Sequence, residues 1–329
     1  MPYLFISTFP FFRNDPEAKN RLFAHPEVQV LLNPHNRKLS PSEVLELAKE
    51  ARSIVAGTED LTELIRTSSK LGHISRVGIG LDSVPLHLCR SKGIRVSYTP
   101  DAVTKAVSEL TIGLMLSITR SVAKADREMR LGEWNRHYGP RLEDLTIGIV
   151  GLGRIGKDVA RLLVPFHPKL IFYDIQDKTT EIEAIQKCGG NISPRSLKEV
   201  ISQSEILSLH VPAYSKTRHM LDETSLSSMK KGAFLINTAR GDLVEEKALH
   251  QSLKSGHLAG AALDVFASEP YKGELSELDN VLLTQHMGSC SLDCRKRMEE
   301  EAVEESLRFL RGEPLQREVP EHEYLYQDL

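Results

Sequence analysis

Arg240, Glu269 and His286 are ionisable side chains that each follow an apolar run of the kind that forms a buried strand. Arg240 lies in Asn237-Thr-Ala-Arg-Gly241 after Ala233–Thr238, and Glu269 in Asp264-Val-Phe-Ala-Ser-Glu-Pro270 after Gly260–Val265. His286 lies in Gln285-His-Met-Gly-Ser289 after Val281–Thr284. In an open α/β sheet, ligands bind beyond the carboxyl ends of the strands, so residues placed there converge on one edge. Their types fit hydride transfer to or from an alcohol carbon. A histidine takes the hydroxyl proton in one direction and returns it in the other near neutral pH. A carboxylate beside it favours the imidazolium and fixes the ring. A guanidinium grips a substrate carboxylate by paired hydrogen bonds and polarises the adjacent carbonyl. On this reading His286 is the acid–base group, Glu269 its partner and Arg240 the carboxylate clamp. The plainer alternatives are a core histidine, a turn-opening glutamate before Pro270 and a surface arginine.

Hydride needs a carrier, and the stretch Thr146-Ile-Gly-Ile-Val-Gly-Leu-Gly-Arg-Ile-Gly156 supplies a place for one. Ile147–Val150 reads as a buried strand, and Lys157–Val164 as part of an amphipathic helix. A second apolar run, Leu170–Tyr173, is closed by Asp174, 18 residues after Gly156. This is the order of a dinucleotide site. Gly151 allows the tight turn, Gly153 lets backbone approach a pyrophosphate, and Gly156 lets helix pack on strand, with helix N–H groups facing the phosphates. Asp174 suits a ribose diol and repels a 2′-phosphate, which points to NAD rather than NADP. Arg154 opens the helix, where a cation opposes the macrodipole unless an anion sits nearby.

The elements that must position these residues come in two sets. Strands are expected at Tyr3–Ser7, Val28–Leu32, Ser53–Ala56, His73–Val77 and Ile94–Ser97, alternating with helices at Pro16–Ala24, Pro41–Ala51, Leu61–Thr67 and Val84–Ser91. Asp15 and Ser40 are the expected caps. A helix near Ala102–Arg120 opens the second set. Its six expected strands are Thr146–Val150, Lys169–Asp174, Glu205–His210, Ala233–Thr238, Gly260–Val265 and Val281–Thr284. The fold class is therefore α/β, with two doubly wound parallel sheets. The helix near Leu292–Arg311 carries the apolar stripe Met298, Ala302, Leu307 and Leu310, and is placed back on the first domain. The domains would be 1–100 plus 293–329 for substrate and 101–292 for the dinucleotide, with the chain crossing a hinge twice. The tail 319–329 has no assigned role.

The chain has 329 residues, 40% hydrophobic and 26% charged, with a net charge of −3. That balance gives no bias towards nucleic acid or an anionic membrane. Four cysteines without zinc-like spacing (Cys89, Cys188, Cys290, Cys294) read as free thiols in a reducing compartment, and no metal is expected. The first residues lack a basic region and a cleavage site, and the apolar stretch Val107–Ile118 is short for a bilayer, so a cytoplasmic protein is expected.

The chain resembles the D-isomer-specific 2-hydroxyacid dehydrogenases over about Ile54 to Gly312. The matching motifs are Val77-Gly-Ile-Gly-Leu-Asp82, Gly151-Leu-Gly-Arg-Ile-Gly156, His210-Val-Pro212 with Thr217, Asn237-Thr-Ala-Arg-Gly241, Ala262-Leu-Asp-Val-Phe266 and His286-Met-Gly-Ser289. The resemblance implies a flavodoxin-like substrate domain and a Rossmann domain, with Arg240, Glu269 and His286 catalytic. It implies NAD bound through Gly151, Gly153, Arg154, Ile155, Gly156, Asp174, Val211, Pro212, Thr217, Thr238, Ala239, Asp264 and Gly288. It places substrate against Arg76, Gly78, Ile79 and Gly80, with Ile79 near the nicotinamide. It also implies a homodimer formed through the helix near Ala102–Arg120. Within the family the chain looks most like the members acting on 3-phosphoglycerate, by Ile74-Ser-Arg-Val-Gly-Ile-Gly-Leu-Asp82, Gly93-Ile-Arg-Val-Ser-Tyr-Thr-Pro-Asp101 and Val107-Ser-Glu109. It departs from them at Ala56-Gly57-Thr58, Ser83 and Tyr98. Phosphite or another acid as substrate, or an NADH-sensing corepressor-like protein, are the alternative readings.

Overall fold

The computed structural model describes residues 1–13 and 15–327. The chain divides into two compact units, one of Met1–Val103 with Ser289–Leu329, the other of Thr104–Gly288. The crossings thus fall at 103/104 and 288/289.

The first unit holds five parallel strands: β1 (Tyr3–Ile6), β2 (Gln29–Leu32), β3 (Ser53–Ala56), β4 (His73–Arg76) and β5 (Arg95–Tyr98). Their order is β2-β1-β3-β4-β5. The first two helices begin where side chains can satisfy the free N–H groups. Asp15 accepts from the Ala18 N–H at 2.9 Å, and Ser40 and Glu43 form a reciprocal capping box at the start of helix Pro41–Ala48. One sheet face is apolar, with Phe5, Ile54, Ile74 and Val96 buried in a single cluster. The other face is covered by helix Leu292–Arg311, which packs on β3, β4 and β5 and ends at Gly312 with φ +75°. Helix Glu321–Gln327 gives the tail a place: Val319 and Tyr324 join the apolar cluster. Asp328 and Leu329, the end of that tail, lie outside the described residues.

Under the long helix runs a polar row. His73 is fully buried and stacks on Phe309 with ring centroids 5.0 Å apart. Its Nε2 lies 3.0 Å from Ser97 Oγ, whose own hydrogen goes to Ser75 Oγ at 3.0 Å. Nε2 is therefore the protonated nitrogen, and Nδ1 accepts from Ser53 Oγ at 2.9 Å. Burial, with a smaller push from Arg95, lowers the pKa of this ring to about 3. An unfolded chain takes up a proton below about pH 6.5 that the native ring refuses, so stability is full above that pH and falls as the medium is acidified towards about 3. Between pH 7 and pH 5, His73 should cost about 2 kcal/mol. Urea unfolding at both pH values tests this. Wild type should lose about 2 kcal/mol more than His73→Gln, and equal losses would show that the ring is not held neutral.

The second unit holds seven parallel strands: β6 (Thr146–Val150), β7 (Lys169–Tyr173), β8 (Asn191–Pro194), β9 (Ile206–Leu209), β10 (Phe234–Asn237), β11 (Gly260–Leu263) and β12 (Val281–Leu283). Their order is β12-β11-β10-β9-β6-β7-β8. Successive residues serve opposite faces: Val150, Leu207 and Leu235 belong to one core cluster, and Ile149, Ile206 and Ile236 to another. Both faces are covered, which is why these strands read as mainly apolar runs. The sheet has one strand more than the six expected. β8 pairs only with β7, at the sheet edge, and of its four residues only Ile192 is buried, so it carries no apolar signature. Helix Pro100–Thr119 lies within two residues of the expected Ala102–Arg120 at each end. At 20 residues it is long and apolar enough to cross a membrane by length and composition alone, and 50% of its apolar window is buried inside the protein. A further helix, Val122–Arg130, follows it.

Candidate active site

The strand order reverses between β6 and β9, and the glycine turn stands at the carboxyl end of β6. Gly151 has φ +93°, and a Cβ there would lie 2.6 Å from the His210 carbonyl oxygen, so glycine alone fits. A Cβ on Gly156 would lie 1.9 Å from the Gly151 oxygen, because helix Arg154–Leu163 packs directly on the turn. A Cβ on Gly153 would meet nothing within 4 Å, and no side chain among the described residues caps the helix start. Open space before uncapped N–H groups fits a pyrophosphate. Arg154 is exposed at that helix start, and the Ile155 carbonyl accepts from Ser108 Oγ at 3.4 Å. The Asp174 carboxylate accepts from the Leu152 N–H at 2.7 Å and the Gln176 N–H at 2.9 Å, and Lys178 Nζ stands 3.9 Å away. The acid thus braces the glycine turn.

The loop after β9 carries Val211, Pro212 and Thr217. Thr217 Oγ1 donates to the Pro212 carbonyl at 2.7 Å and accepts from the Tyr214 N–H at 3.0 Å, closing the loop on itself. After β10, Thr238 Oγ1 meets Thr111 Oγ1 of helix Pro100–Thr119 at 2.9 Å. Asn237, 1% exposed, accepts from the Ala239 N–H at 3.1 Å and donates to the Arg240 carbonyl at 2.8 Å. Sequence reasoning gave Asn237 no role, although its place beside Arg240 in the motif was visible. Gly241 lets the next loop approach, since a Cβ there would fall 2.0 Å from the Phe266 carbonyl carbon. Arg240 Nη1 donates to the Ala239 carbonyl at 2.6 Å.

Glu269 and His286 are joined. His286 Nδ1 lies 2.8 Å from Glu269 Oε2, and the Phe266 N–H donates to Glu269 Oε1 at 3.1 Å. Partial burial pushes the Glu269 carboxyl up. The hydrogen bond and charge of His286, the Phe266 N–H and the charge of Arg240 outweigh it and hold the group below the usual glutamate value. Both side chains remain over a third exposed, so a solute can reach them. His286 adopts φ +50°, a left-handed conformation that costs about 1 kcal/mol or more for a residue with a Cβ.

Asp264 holds that conformation. Its carbonyl accepts from the His286 N–H at 2.8 Å. Its carboxylate, 1% exposed, accepts from the N–H groups of Met287 and Gly288 at 2.8 Å each and from Thr284 Oγ1 at 2.6 Å. Asp264, one of the residues the resemblance implies for NAD, thus braces the His286 loop. Arg76, Gly78, Ile79 and Gly80 belong to the first unit, at the end of β4 and in the loop beyond it. Arg76 is buried, and its Nη1 donates to the Val77 carbonyl. Gly78 has φ +127°, and its N–H donates to Thr99 Oγ1 at 2.8 Å.

Residues 112–288 match the family described as D-isomer specific 2-hydroxyacid dehydrogenase, NAD binding domain. The chain is 39% identical over 259 residues to a glyoxylate reductase of Thermofilum pendens, covering 76% of this chain and 75% of that protein. This chain belongs to the D-isomer-specific 2-hydroxyacid dehydrogenases. A D-3-phosphoglycerate dehydrogenase of Methanocaldococcus jannaschii is 36% identical over 282 residues, covering 84% of this chain and 53% of its relative. The chain thus spans about half the length of that protein. The crystal structure of a D-lactate dehydrogenase from Aquifex aeolicus, complexed with NAD and lactic acid, superposes with a TM-score of 0.82 at 28% identity, covering 94% of this chain and 96% of that one. This dehydrogenase is an NAD-dependent enzyme of two parallel-sheet α/β units.

Proposed function

We propose that this dehydrogenase reduces a short, unphosphorylated 2-keto acid of glyoxylate or hydroxypyruvate size to its D-2-hydroxy acid, and runs the reverse reaction when product accumulates. NADH, held by the glycine turn, Asp174 and the loops bearing Pro212 and Thr238, supplies the hydride. Arg240 grips the substrate carboxylate and polarises the keto oxygen. His286, oriented by Glu269, delivers the proton to that oxygen as C2 receives the hydride, and takes it back in oxidation. The backbone of Gly78–Gly80 lines the substrate. The pairing of His286 with Glu269 at 2.8 Å, with the Arg240 charge acting on the same carboxylate, carries the reading.

Arg76 is the residue that bears on substrate size. It is buried, and its Nη1 donates to the Val77 carbonyl of the neighbouring residue. A phosphorylated substrate is the second reading, favoured by the presence of an arginine at the end of β4. NADH absorbance with glyoxylate, hydroxypyruvate and phosphohydroxypyruvate in turn separates the two. We expect kcat/KM for one of the unphosphorylated acids to exceed that for the phosphorylated one by about tenfold or more. The opposite order would assign the phosphate role to Arg76.

The enzyme acts as a cytoplasmic homodimer on this reading. Beside the half-buried helix Pro100–Thr119, residues 122–138 expose Leu131 at 76%, Trp134 at 76% and Tyr138 at 93%. Sedimentation should find a dimer that Trp134→Lys weakens; a monomeric wild type would refute the pairing.

A further inference from the structure

We propose that Gln327 is a positioning residue for the substrate, because its side chain clamps the loop that carries Gly78–Gly80. The inference rests on the reading of that loop as substrate-lining. The loop leaves β4, a strand with fixed backbone partners, and runs on without regular structure until helix Leu86–Ser91. Its backbone polar groups therefore need partners from elsewhere. Gln327 supplies three. Its Nε2 donates to the Leu81 carbonyl at 3.1 Å and to the Val84 carbonyl at 2.8 Å, and its Oε1 accepts from the Leu86 N–H at 2.9 Å. A primary amide has the two donors and the acceptor this needs, arranged in one plane.

The clamp is itself anchored. Residues 317–319 run along the free edge of β5: the Tyr98 N–H donates to the Arg317 carbonyl at 3.1 Å, and the Val319 N–H to the Val96 carbonyl at 2.9 Å. Helix Glu321–Gln327 follows, with Tyr324 8% exposed and the Arg90 guanidinium 3.7 Å above its ring. The start of the loop is tied to the residue that follows the same strand, since the Gly78 N–H donates to Thr99 Oγ1 and the Thr99 N–H to the Gly78 carbonyl at 3.0 Å. The loop is thus fixed at Gly78 from β5 and at 81–86 from Gln327. Gly80 lies between the two anchors and has no Cβ to fix it by packing. Freeing one anchor lets the backbone that meets the substrate sample positions it does not hold in the wild type, a cost paid at substrate binding.

Steady-state kinetics of the full chain with glyoxylate and hydroxypyruvate test this, alongside NADH affinity by fluorescence. In Gln327→Ala, KM for the keto acid should rise roughly tenfold, while kcat and the NADH dissociation constant stay within about twofold. Gln327→Glu keeps the shape and the acceptor but loses the donors, so it should not restore the wild-type KM. An unchanged KM in Gln327→Ala overturns the clamp, as does a wild-type KM in Gln327→Glu. Loss of NADH affinity in step with KM also overturns it, since that marks general destabilisation. If wild type turns over no 2-keto acid at all, the reading of the site fails and the clamp with it.

Discussion

Replacing His286 with alanine should lower kcat for keto-acid reduction by about 10³-fold, with the NADH dissociation constant changed by less than about twofold. Nδ1 of His286 is committed to Glu269, so Nε2 is the nitrogen that can carry the travelling proton. Removing the ring removes the only titratable group joined to Glu269 by a hydrogen bond among the described residues. The glycine turn, Asp174 and the loops bearing Pro212 and Thr238 lie elsewhere in the same unit and should keep their contacts. The left-handed backbone at position 286 calls for a control. Asparagine tolerates that conformation better than alanine does, so His286→Asn separates loss of the imidazole from loss of the loop. Both variants should be equally slow. Rapid turnover by either, measured as NADH oxidation, would remove His286 from the proton path.

Replacing Arg240 with alanine should lower kcat/KM for the keto acid by about 10³-fold, through both KM and kcat. Arg240→Lys should recover little of this. A guanidinium presents paired donors in one plane to both carboxylate oxygens, whereas an ammonium offers a point charge. The loop itself should persist, because Asn237 holds the backbone at 239 and 240 without help from the Arg240 side chain. Activity within about threefold of wild type in Arg240→Lys would show that Arg240 contributes charge alone, without paired bonds. A loss confined to NADH affinity would move the residue out of the substrate site.

Much of this was legible before any coordinates. The central strands of the second sheet are buried on both faces, so β6, β9 and β10 read as mainly apolar runs. The glycine turn followed from the steric demand at Gly151 and the helix packing at Gly156, both of which constrain residue type. The nearness of His286 to Glu269, and of the Arg240 charge to the same carboxylate, was legible because residues just past strand ends share one edge. What stayed hidden depends on partners distant in sequence. β8 borders solvent and shows only Ile192 to the core. Asp264 serves a loop more than twenty residues later, and nothing local announces that its carboxylate collects three hydrogen bonds. Gln327 meets carbonyls some 240 positions earlier, beyond the reach of any periodicity.

The long helix Leu292–Arg311 covers β3, β4 and β5 from the far end of the chain. During synthesis from the amino terminus, the whole of Thr104–Gly288 leaves the ribosome before that cover exists. The nucleotide-binding unit can therefore fold while its neighbour still shows the face bearing His73 and Val55 to solvent. Messages truncated in the last forty codons should yield a chain with one finished half and one sticky half, a ready client for chaperones.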